Sequence, residues 1–585
     1  MNVVIAGGGI SGISAAKVVL KEGHGAVVVE SAAEPGGLMA RIANCRVGFK
    51  TFHDEIAGHP RLSLISGAKI VAAQRKDGAF LLTLSDGRTL DADRVVVATG
   101  LSPYDPVAYK GPRVLTSLEY DALIDQRNGE LPPDFNRIAF VLCVGSRCEE
   151  CPLCSSVCCS YTIREIKWTL QRATPAITVF YNDLRLFGNE FFMEKMYRDA
   201  GVRFIRANSR YFEAEGDEAR LRYFAGGKLV EEAFDYIVMA IGLRPNPALK
   251  ELAGVFNFSL DGYGFVQEKG ALRTDADGVY ACGGALEPMN IKDAILTGFG
   301  AGFAAVHDSA KAAGGNGVRP ASQDGRLYRE EPPEIAIPDG PFDSCLFYLG
   351  TDDPATRMFY EFFSFRFIEA ARNFRKAGKT VYVLTRNVAA PSYEELAYEE
   401  ARREGVLFVH LEEGEDVAIN GGAVVVSGGG RELSFAVDRV FRFEDYAAAM
   451  QGREFLSVYR SEPQLRWSPT KWGRKRYHVG FIRHPRAPRW EAREVLAALG
   501  EMRLDDEEER ALPEVNEERC SGCGSCKEAC PHGAIEIELV QMPLALFGPQ
   551  TEVAVPKAHI KQDTCVACGL CVSTCPSDVI AYPGT

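Results

Sequence analysis

An excess of positive charge is missing from this 585-residue chain, in which 66 Lys and Arg face 79 Asp and Glu for a formal net charge of −13. Phosphate neutralisation needs a basic face, so nucleic-acid binding is not expected. No run of about 18 apolar residues occurs, so no membrane-spanning helix is expected either. A secretory leader is not expected, because Asn2-Val3-Val4-Ile5-Ala6 already reads as a strand with no charged and apolar segment before it. G-x-S-x-G, a zincin helix and a P-loop are all absent, which leaves hydrolysis and phosphoryl transfer without residues to perform them. What the chain has in quantity is cysteine, 17 in all, with six between Cys143 and Cys159 and eight between Cys520 and Cys575. Only Cys45, Cys282 and Cys345 stand apart. Such density in a long chain without a leader reads as thiolate ligands in a reducing, cytoplasmic compartment rather than disulfides. The length suggests roughly three to five structural units.

Val3-Val4-Ile5-Ala6 runs into Gly7-Gly8-Gly9-Ile10-Ser11-Gly12, a helix-period segment follows, and a second apolar strand ends in Glu30. This is strand, G-x-G-x-x-G, helix, strand, acid. Gly7 permits the tight turn, Gly9 lets a pyrophosphate approach the backbone, Gly12 lets the helix pack on the strand, and Glu30 is placed for a ribose. Glu34-Pro35-Gly36-Gly37, the strand ending Ala98-Thr99-Gly100, and Tyr280-Ala281-Cys282-Gly283-Gly284 with Ile291 ahead of a further helix complete the set. Together they resemble the two-dinucleotide flavoprotein fold of thioredoxin reductase and its relatives. The resemblance implies FAD held by Gly7, Gly9, Gly12, Glu30, Gly36, Gly37, Thr99, Gly100, Cys282, Gly283, Gly284 and Ile291. In that family the last motif ends Gly-Asp; Gly283-Gly284 here implies that the acid's contact is lost or made by backbone.

The inserted unit of such a fold would carry a second glycine loop after its first strand. Arg137-Ile138-Ala139-Phe140-Val141-Leu142 supplies the strand, but Cys143-Val144-Gly145-Ser146-Arg147 and then Cys148, Cys151, Cys154, Cys158 and Cys159 follow it. Hydride donation from NAD(P)H at this position is therefore not expected. Cysteines at a helix start have their thiolates favoured by the helix dipole, and four soft thiolates call for iron–sulfur or zinc.

The Cys143 to Arg147 run, Cys154-Ser155-Ser156-Val157-Cys158-Cys159-Ser160-Tyr161, Tyr181-Asn182-Asp183-Leu184-Arg185-Leu186-Phe187-Gly188 and Gly201-Val202-Arg203-Phe204-Ile205-Arg206 together resemble the A subunit of heterodisulfide reductase over most of residues 1–312. The resemblance implies a flavin-proximal [4Fe-4S] cluster on Cys143, Cys154, Cys158 and Cys159. The spacing of Cys148, Cys151, Cys154 and Cys158, C-x2-C-x2-C-x3-C, offers a second ligand set. Residues 38–93 hold only Cys45, so the ferredoxin-like insert of longer relatives is missing and the chain looks more like the shorter subunits of the quinone-interacting oxidoreductase complex. Bifurcating relatives have Gly-Pro-Lys-Asp-Ile; Glu287-Pro288-Met289-Asn290-Ile291 here has methionine at the lysine position, with Lys292 three residues on, which leaves electron bifurcation open.

Residues 313–340 read as a linker. Beyond it, Gly405-Val406-Leu407-Phe408-Val409-His410 repeats Gly201 to Arg206 at an offset of 204, and the same shift lays Phe362-Phe363-Ser364-Phe365 on Cys158-Cys159-Ser160-Tyr161. This reads as a degenerate second α/β copy with neither flavin nor cluster, serving structure or docking. A basic, aromatic stretch from Arg466 to His478 could receive an acidic partner or simply face solvent.

At the C-terminal side, Cys520-x2-Cys523-x2-Cys526-x3-Cys530-Pro531 recurs as Cys565-x2-Cys568-x2-Cys571-x3-Cys575-Pro576. This is the bacterial two-cluster ferredoxin rhythm, whose fourth cysteine ligates the other cluster. Cys520, Cys523, Cys526 and Cys575 are expected on one [4Fe-4S], and Cys565, Cys568, Cys571 and Cys530 on the second, with a hairpin or loop across residues 536–562. The expected architecture is an α/β two-dinucleotide-binding, thioredoxin reductase-like flavoprotein fold in residues 1–136 and 240–312, with an inserted unit at 137–239. The 313–340 linker, a degenerate repeat at 341–500 and an α+β ferredoxin domain at 501–585 complete it. With FAD and three [4Fe-4S] clusters, the chain reads as an electron-transfer subunit of a multi-subunit oxidoreductase complex. Rival readings are a self-contained NAD(P)H-dependent flavoenzyme and a scaffold subunit. The resemblance implies heterodisulfide reductase B- or C-like, hydrogenase delta-like or quinone-interacting partner subunits, through which the chain could associate with a membrane. No residue is singled out as catalytic.

Overall fold

The structure is a computed structural model that describes every residue except 128–129, 187–189, 208–212, 215–218, 226–227, 308–326, 331–336, 338–339, 351–359, 413, 449–470, 473–475, 481–487, 505–511, 531–532, 544–551, 562–564, 566–569 and 583–585. Its first sheet is parallel, in the order Val279–Ala281, Arg94–Val97, Asn2–Ala6, Gly25–Glu30, Leu62–Ser66. Val3, Val4 and Ile5 are fully buried, as a strand covered on both faces requires. The helices Ile10–Lys21 and Ile291–His307 pack on each other and on this sheet. The strands Ile70–Lys76, Ala79–Leu84 and Thr89–Ala92 form a small antiparallel sheet beside it.

The inserted unit is a second parallel sheet, ordered Arg203–Arg206, Ala176–Tyr181, Arg137–Val144, Tyr236–Ile241, Val114–Thr116. It is joined to the first unit by the antiparallel pair Leu101–Pro103 and Leu243–Pro245. A third parallel sheet has the order Leu407–His410, Thr380–Thr385, Ser344–Leu349, Arg439–Arg442. Each of these two units carries a three-stranded antiparallel sheet, Glu213–Ala214, Arg220–Ala225 and Lys228–Ala233 in one and Asp416–Asn420, Ala423–Gly428 and Arg431–Ala436 in the other. Strand register repeats as well: Thr178 pairs with Arg203 and Tyr382 with Leu407, both members shifted by 204.

Two departures from the sequence reading stand out. Within the supposed linker, Leu327–Glu330 is a strand paired in parallel with Arg476–Gly480; the rest of 313–340, apart from Ile337 and Gly340, and most of the basic stretch lie outside the described residues. The helix Pro488–Leu504, assigned by sequence largely to the second copy, packs instead on the Ile10–Lys21 and Ile291–His307 helices. Its Trp490, Leu496 and Ala497 join the core of the first unit, and Arg493 is buried there between the Glu268 and Glu287 carboxylates. No sequence period reveals such a return, because a buried ion pair between residues some 200 apart has no local signature.

Between residues 535 and 560 the chain forms an antiparallel hairpin, Ile535–Pro543 with Glu552–Ile560, and Ile535 pairs with Ile560. Glu514–Val515 pairs with Ile580–Ala581 and closes the C-terminal unit. The whole is an α/β two-dinucleotide-binding fold with a second α/β copy and an α+β C-terminal unit. Among the described residues no helix is long and apolar enough to cross a membrane.

Candidate functional site

The glycine turn leaves a cradle open above the first sheet. At Gly9 an added Cβ would meet nothing within 4 Å, whereas at Gly12 it would lie 2.0 Å from the Gly7 carbonyl oxygen. Gly12 is therefore needed for the helix to close on the turn, and Gly9 faces space. Gly36 donates its N–H to the Gly8 carbonyl at 2.9 Å, and Gly37 lies against Gly9, so the two glycine pairs border one hollow. Thr99 Oγ1 is buried without a hydrogen-bond partner, an unmet polar atom beside Gly100. An adenine dinucleotide fits this set: a side-chain-free glycine cradle and an unsatisfied hydroxyl are what a polar ligand completes. Glu30 is buried and occupied by the backbone, accepting from Gly8 N at 2.8 Å and Ala32 N at 2.7 Å. Gly283 N donates to Thr297 Oγ1 at 2.9 Å, which ties the Gly283-Gly284 turn to the Ile291–His307 helix. Cys282 is fully buried in the core, and burial pushes its thiol far up. Met289 is buried, its sulfur accepting from Thr297 Oγ1 at 3.8 Å, as a packing residue would be.

The cysteine loop leaves the Arg137–Val144 strand under strain. Cys143, Arg147 and Ser156 have φ of 64°, 55° and 62°, left-handed values that non-glycine residues seldom adopt. The strain delivers Cys143 onto the first turn of the Cys158–Leu170 helix. Cys158 is the hub: the thiols of Cys143 and Cys159 donate to it and hold it well below the usual thiol range, and Ser155 Oγ adds a contact at 3.6 Å. The same contacts, with burial, raise Cys143 and Cys159. Cys154 is buried beside them and accepts from Ser156 N at 3.4 Å; Cys159 Sγ accepts from Arg185 N at 3.4 Å. Backbone N–H groups aimed at sulfur suit thiolate ligands. Among the described residues no three Cys, His, Asp or Glu side chains close a shell tight enough for one metal ion; the sulfurs meet pairwise through Cys158. Cys148 and Cys151 stand apart, exchanging both backbone hydrogen bonds in a small hairpin, with Cys148 Sγ on Glu150 Oε2 at 3.3 Å.

The second copy covers this loop. Its Asn387 Oδ1 accepts from Leu184 N at 3.0 Å, while Asp183 Oδ1 accepts from Val388 N at 3.0 Å. Arg147 lies between Asp183 Oδ2 at 2.8 Å and Glu395 Oε1 at 3.0 Å. Arg185 donates to Val388 O at 3.1 Å and to Ala390 O, and pairs with the other oxygen of Glu395. Burial works against both guanidinium charges, but the carboxylates outweigh it and raise both. Burial would likewise raise Asp183, yet Arg147, His410 and Arg206 hold it far below the usual carboxylate range. In the sequence, Asp183 and Arg185 stand out only as members of a motif, and Asn387 and Glu395 carry no signal of their own. The 204-residue offset points toward Asn387, which falls on Asp183, and not toward Glu395.

In the C-terminal unit, Cys520, Cys523, Cys526 and Cys575 line one cavity with Ile537 and Ile580. Cys520 Sγ accepts from Gly522 N at 3.4 Å and Ala558 N at 3.5 Å. Cys530, Cys565 and Cys571 belong to the same small apolar core; Cys568 lies outside the described residues.

The 4Fe-4S dicluster domain matches residues 504–579, and the pyridine nucleotide-disulphide oxidoreductase family matches residues 177–298. The A subunit of H(2):CoB-CoM heterodisulfide,ferredoxin reductase from Methanothermobacter thermautotrophicus is 30% identical over 241 residues, 36% of this chain and 36% of that one. The chain is similar to the heterodisulfide reductase A subunits. That of the ferredoxin:CoB-CoM heterodisulfide reductase of Methanosarcina acetivorans is 30% identical over 196 residues, 31% of this chain and 24% of that one. A protein of Archaeoglobus profundus, itself like the heterodisulfide reductase A subunit, is 27% identical over 251 residues, 35% of this chain and 36% of that one. The chain thus spans between about a quarter and just over a third of the length of these relatives. Among solved structures, thioredoxin reductase from T. acidophilum covers 52% of this chain and 98% of its own at 18% identity, with a TM-score of 0.39.

Proposed function

We propose that the chain is an FAD- and iron–sulfur-containing electron-transfer subunit of a multi-subunit oxidoreductase complex. In this reading, Gly7, Gly9, Gly12, Gly36, Gly37, Thr99 and Gly100 hold the dinucleotide. Cys143, Cys154, Cys158 and Cys159 hold a flavin-proximal cluster, and the eight C-terminal cysteines, Cys568 included, hold a ferredoxin-type pair. The observation that carries it is the Cys158 hub. Three buried sulfurs in contact, beside Cys154, occupy the turn where a pyridine-nucleotide enzyme needs glycines. When bound, a flavin exchanges electrons singly or in pairs, and iron–sulfur clusters pass them one at a time. The residues bind and orient: the strained loop fixes Cys143, the helix start presents Cys158 and Cys159, and backbone amides donate to sulfur. The partners are the other subunits of such a complex, in a cytoplasmic setting.

Anaerobic iron analysis tests the proposal, with about twelve iron per chain expected from three [4Fe-4S] clusters. A value near zero removes the relay and leaves the scaffold reading. Stopped-flow bleaching of the bound flavin by NAD(P)H alone would instead support a self-contained flavoenzyme.

A further inference from the structure

We propose that Glu395 is a positioning residue for the cysteine site. It holds Arg147 and Arg185 beside the sulfurs and so sets how readily a cluster there takes up an electron. The inference rests on Cys143, Cys154, Cys158 and Cys159 being that cluster's ligands. Glu395 comes from the copy that has no cysteine loop of its own, and it is fully buried at the start of the Glu394–Arg403 helix. One carboxylate oxygen takes Arg147 and the other takes Arg185. The two guanidinium groups repel each other in the same buried space, and both act electrostatically on Cys154. A shared carboxylate helps two like charges stand together out of water; removing it leaves Arg147 on Asp183 and takes from Arg185 the carboxylate it pairs with.

The placement has a redox consequence. A cluster becomes more negative by one charge on accepting one electron, and its potential follows net charge and hydrogen bonding around the sulfurs. Arg147 and Arg185 favour the reduced state, and Glu395 offsets part of that pull. Arg185 couples in a second way: its side chain is pinned to Val388 O, Ala390 O and Glu395, while its own N–H donates to Cys159 Sγ. The second copy is therefore part of the electronic environment of the first, beyond any docking role.

The test uses the full chain, purified anaerobically, with EPR-monitored redox titration of the signal that a Cys158→Ser variant lacks. Glu395→Gln should keep its iron and shift the reduced-to-oxidised ratio upward about tenfold at the unsubstituted midpoint, which is about 59 mV for a one-electron couple. Arg185→Gln should shift it the other way. Full iron with an unmoved midpoint in Glu395→Gln, or shifts of the same sign in both variants, overturns the proposal. If Glu395→Gln loses iron, Glu395→Asp decides: retained iron with a near-native midpoint supports charge as the agent, and lost iron refutes it. Absence of the Cys158-dependent signal from the unsubstituted chain would overturn the cluster reading itself.

Discussion

Asp183 and Asn387 exchange hydrogen bonds across the junction of the two α/β copies, each side-chain oxygen accepting the N–H that follows the other residue, both at 3.0 Å. The positions differ by 204, the offset that relates the copies, as do Arg206 and His410. Arg206 reaches Asn387 Oδ1 at 3.2 Å, and His410 lies 3.8 Å from Asp183 Oδ1. Such reciprocity is the mark of an isologous interface, here built within one chain. Divergence has made it asymmetric: where one half has a carboxylate and an arginine, the other has an amide and a histidine.

Asn387→Ala should loosen this junction. It strips the buried Leu184 N–H of its acceptor, and an unsatisfied buried donor costs roughly 1–3 kcal/mol. Thermal unfolding should show a lower midpoint than the parent. Equal midpoints for parent and Asn387→Ala would show that the exchange adds nothing to stability.

The junction should also be acid-sensitive. Burial lowers His410 from 6.5 to about 4, with the Asp183 carboxylate opposing and Arg206 and Arg147 assisting the shift. The unfolded chain therefore binds this proton at a higher pH than the folded one. The contribution is present above about pH 6.5 and is lost as pH falls through about 4, up to about 3 kcal/mol in size. Tyr398 O–H also faces the ring, at 3.3 Å from Nε2, and stays neutral throughout. The unfolding free energy measured between pH 7 and pH 4.5 should fall, and His410→Gln should flatten that slope.

Much of the first unit was legible because its signals are local. The apolar strand, the glycine turn and the helix after it lie within the first 21 residues, and backbone sterics dictate the turn between them. The C-terminal cysteines were legible for the same reason, since ligand spacing is itself the motif. The covering of the cysteine loop was not: Glu395 meets Arg147 across 248 residues, and nothing in the Glu394-Glu395-Leu396 stretch marks one acid as buried. Arg493 likewise reads as one more charge on a surface helix, yet Glu268 and Glu287 make it an interior one.

Gly9 and Gly12 should separate cofactor binding from folding. A side chain at position 9 enters open space, so Gly9→Val should melt near the parent temperature while failing to retain flavin, as read by fluorescence after denaturation. Gly12→Ala puts a Cβ 2.0 Å from a backbone oxygen, which cannot be relieved by a side-chain rotation. That variant should lose stability by roughly 1–3 kcal/mol and flavin along with it. A Gly9→Val protein that still carries flavin would remove the cradle from this site.

The Cys158–Leu170 helix ties the two cysteine sites together at its ends. Its first turn carries Cys158 and Cys159, and at its other end Lys167 Nζ and Gln171 Nε2 hold the Asp578 carboxylate, each at 2.6 Å. Asp578 follows Cys575 by three residues, so the helix length of about 20 Å for 13 residues separates the two docking points. Lys167 is largely covered and Asp578 half exposed, which makes the pair a surface ion pair worth about 0–1 kcal/mol and screened by salt. Docking that weak should be reversible. Small-angle scattering should show a larger radius of gyration for Asp578→Lys than for the parent at low salt, and the parent should approach the variant as salt is raised. An identical radius in both proteins across that range would mean that the C-terminal unit is held to the rest of the chain by other contacts.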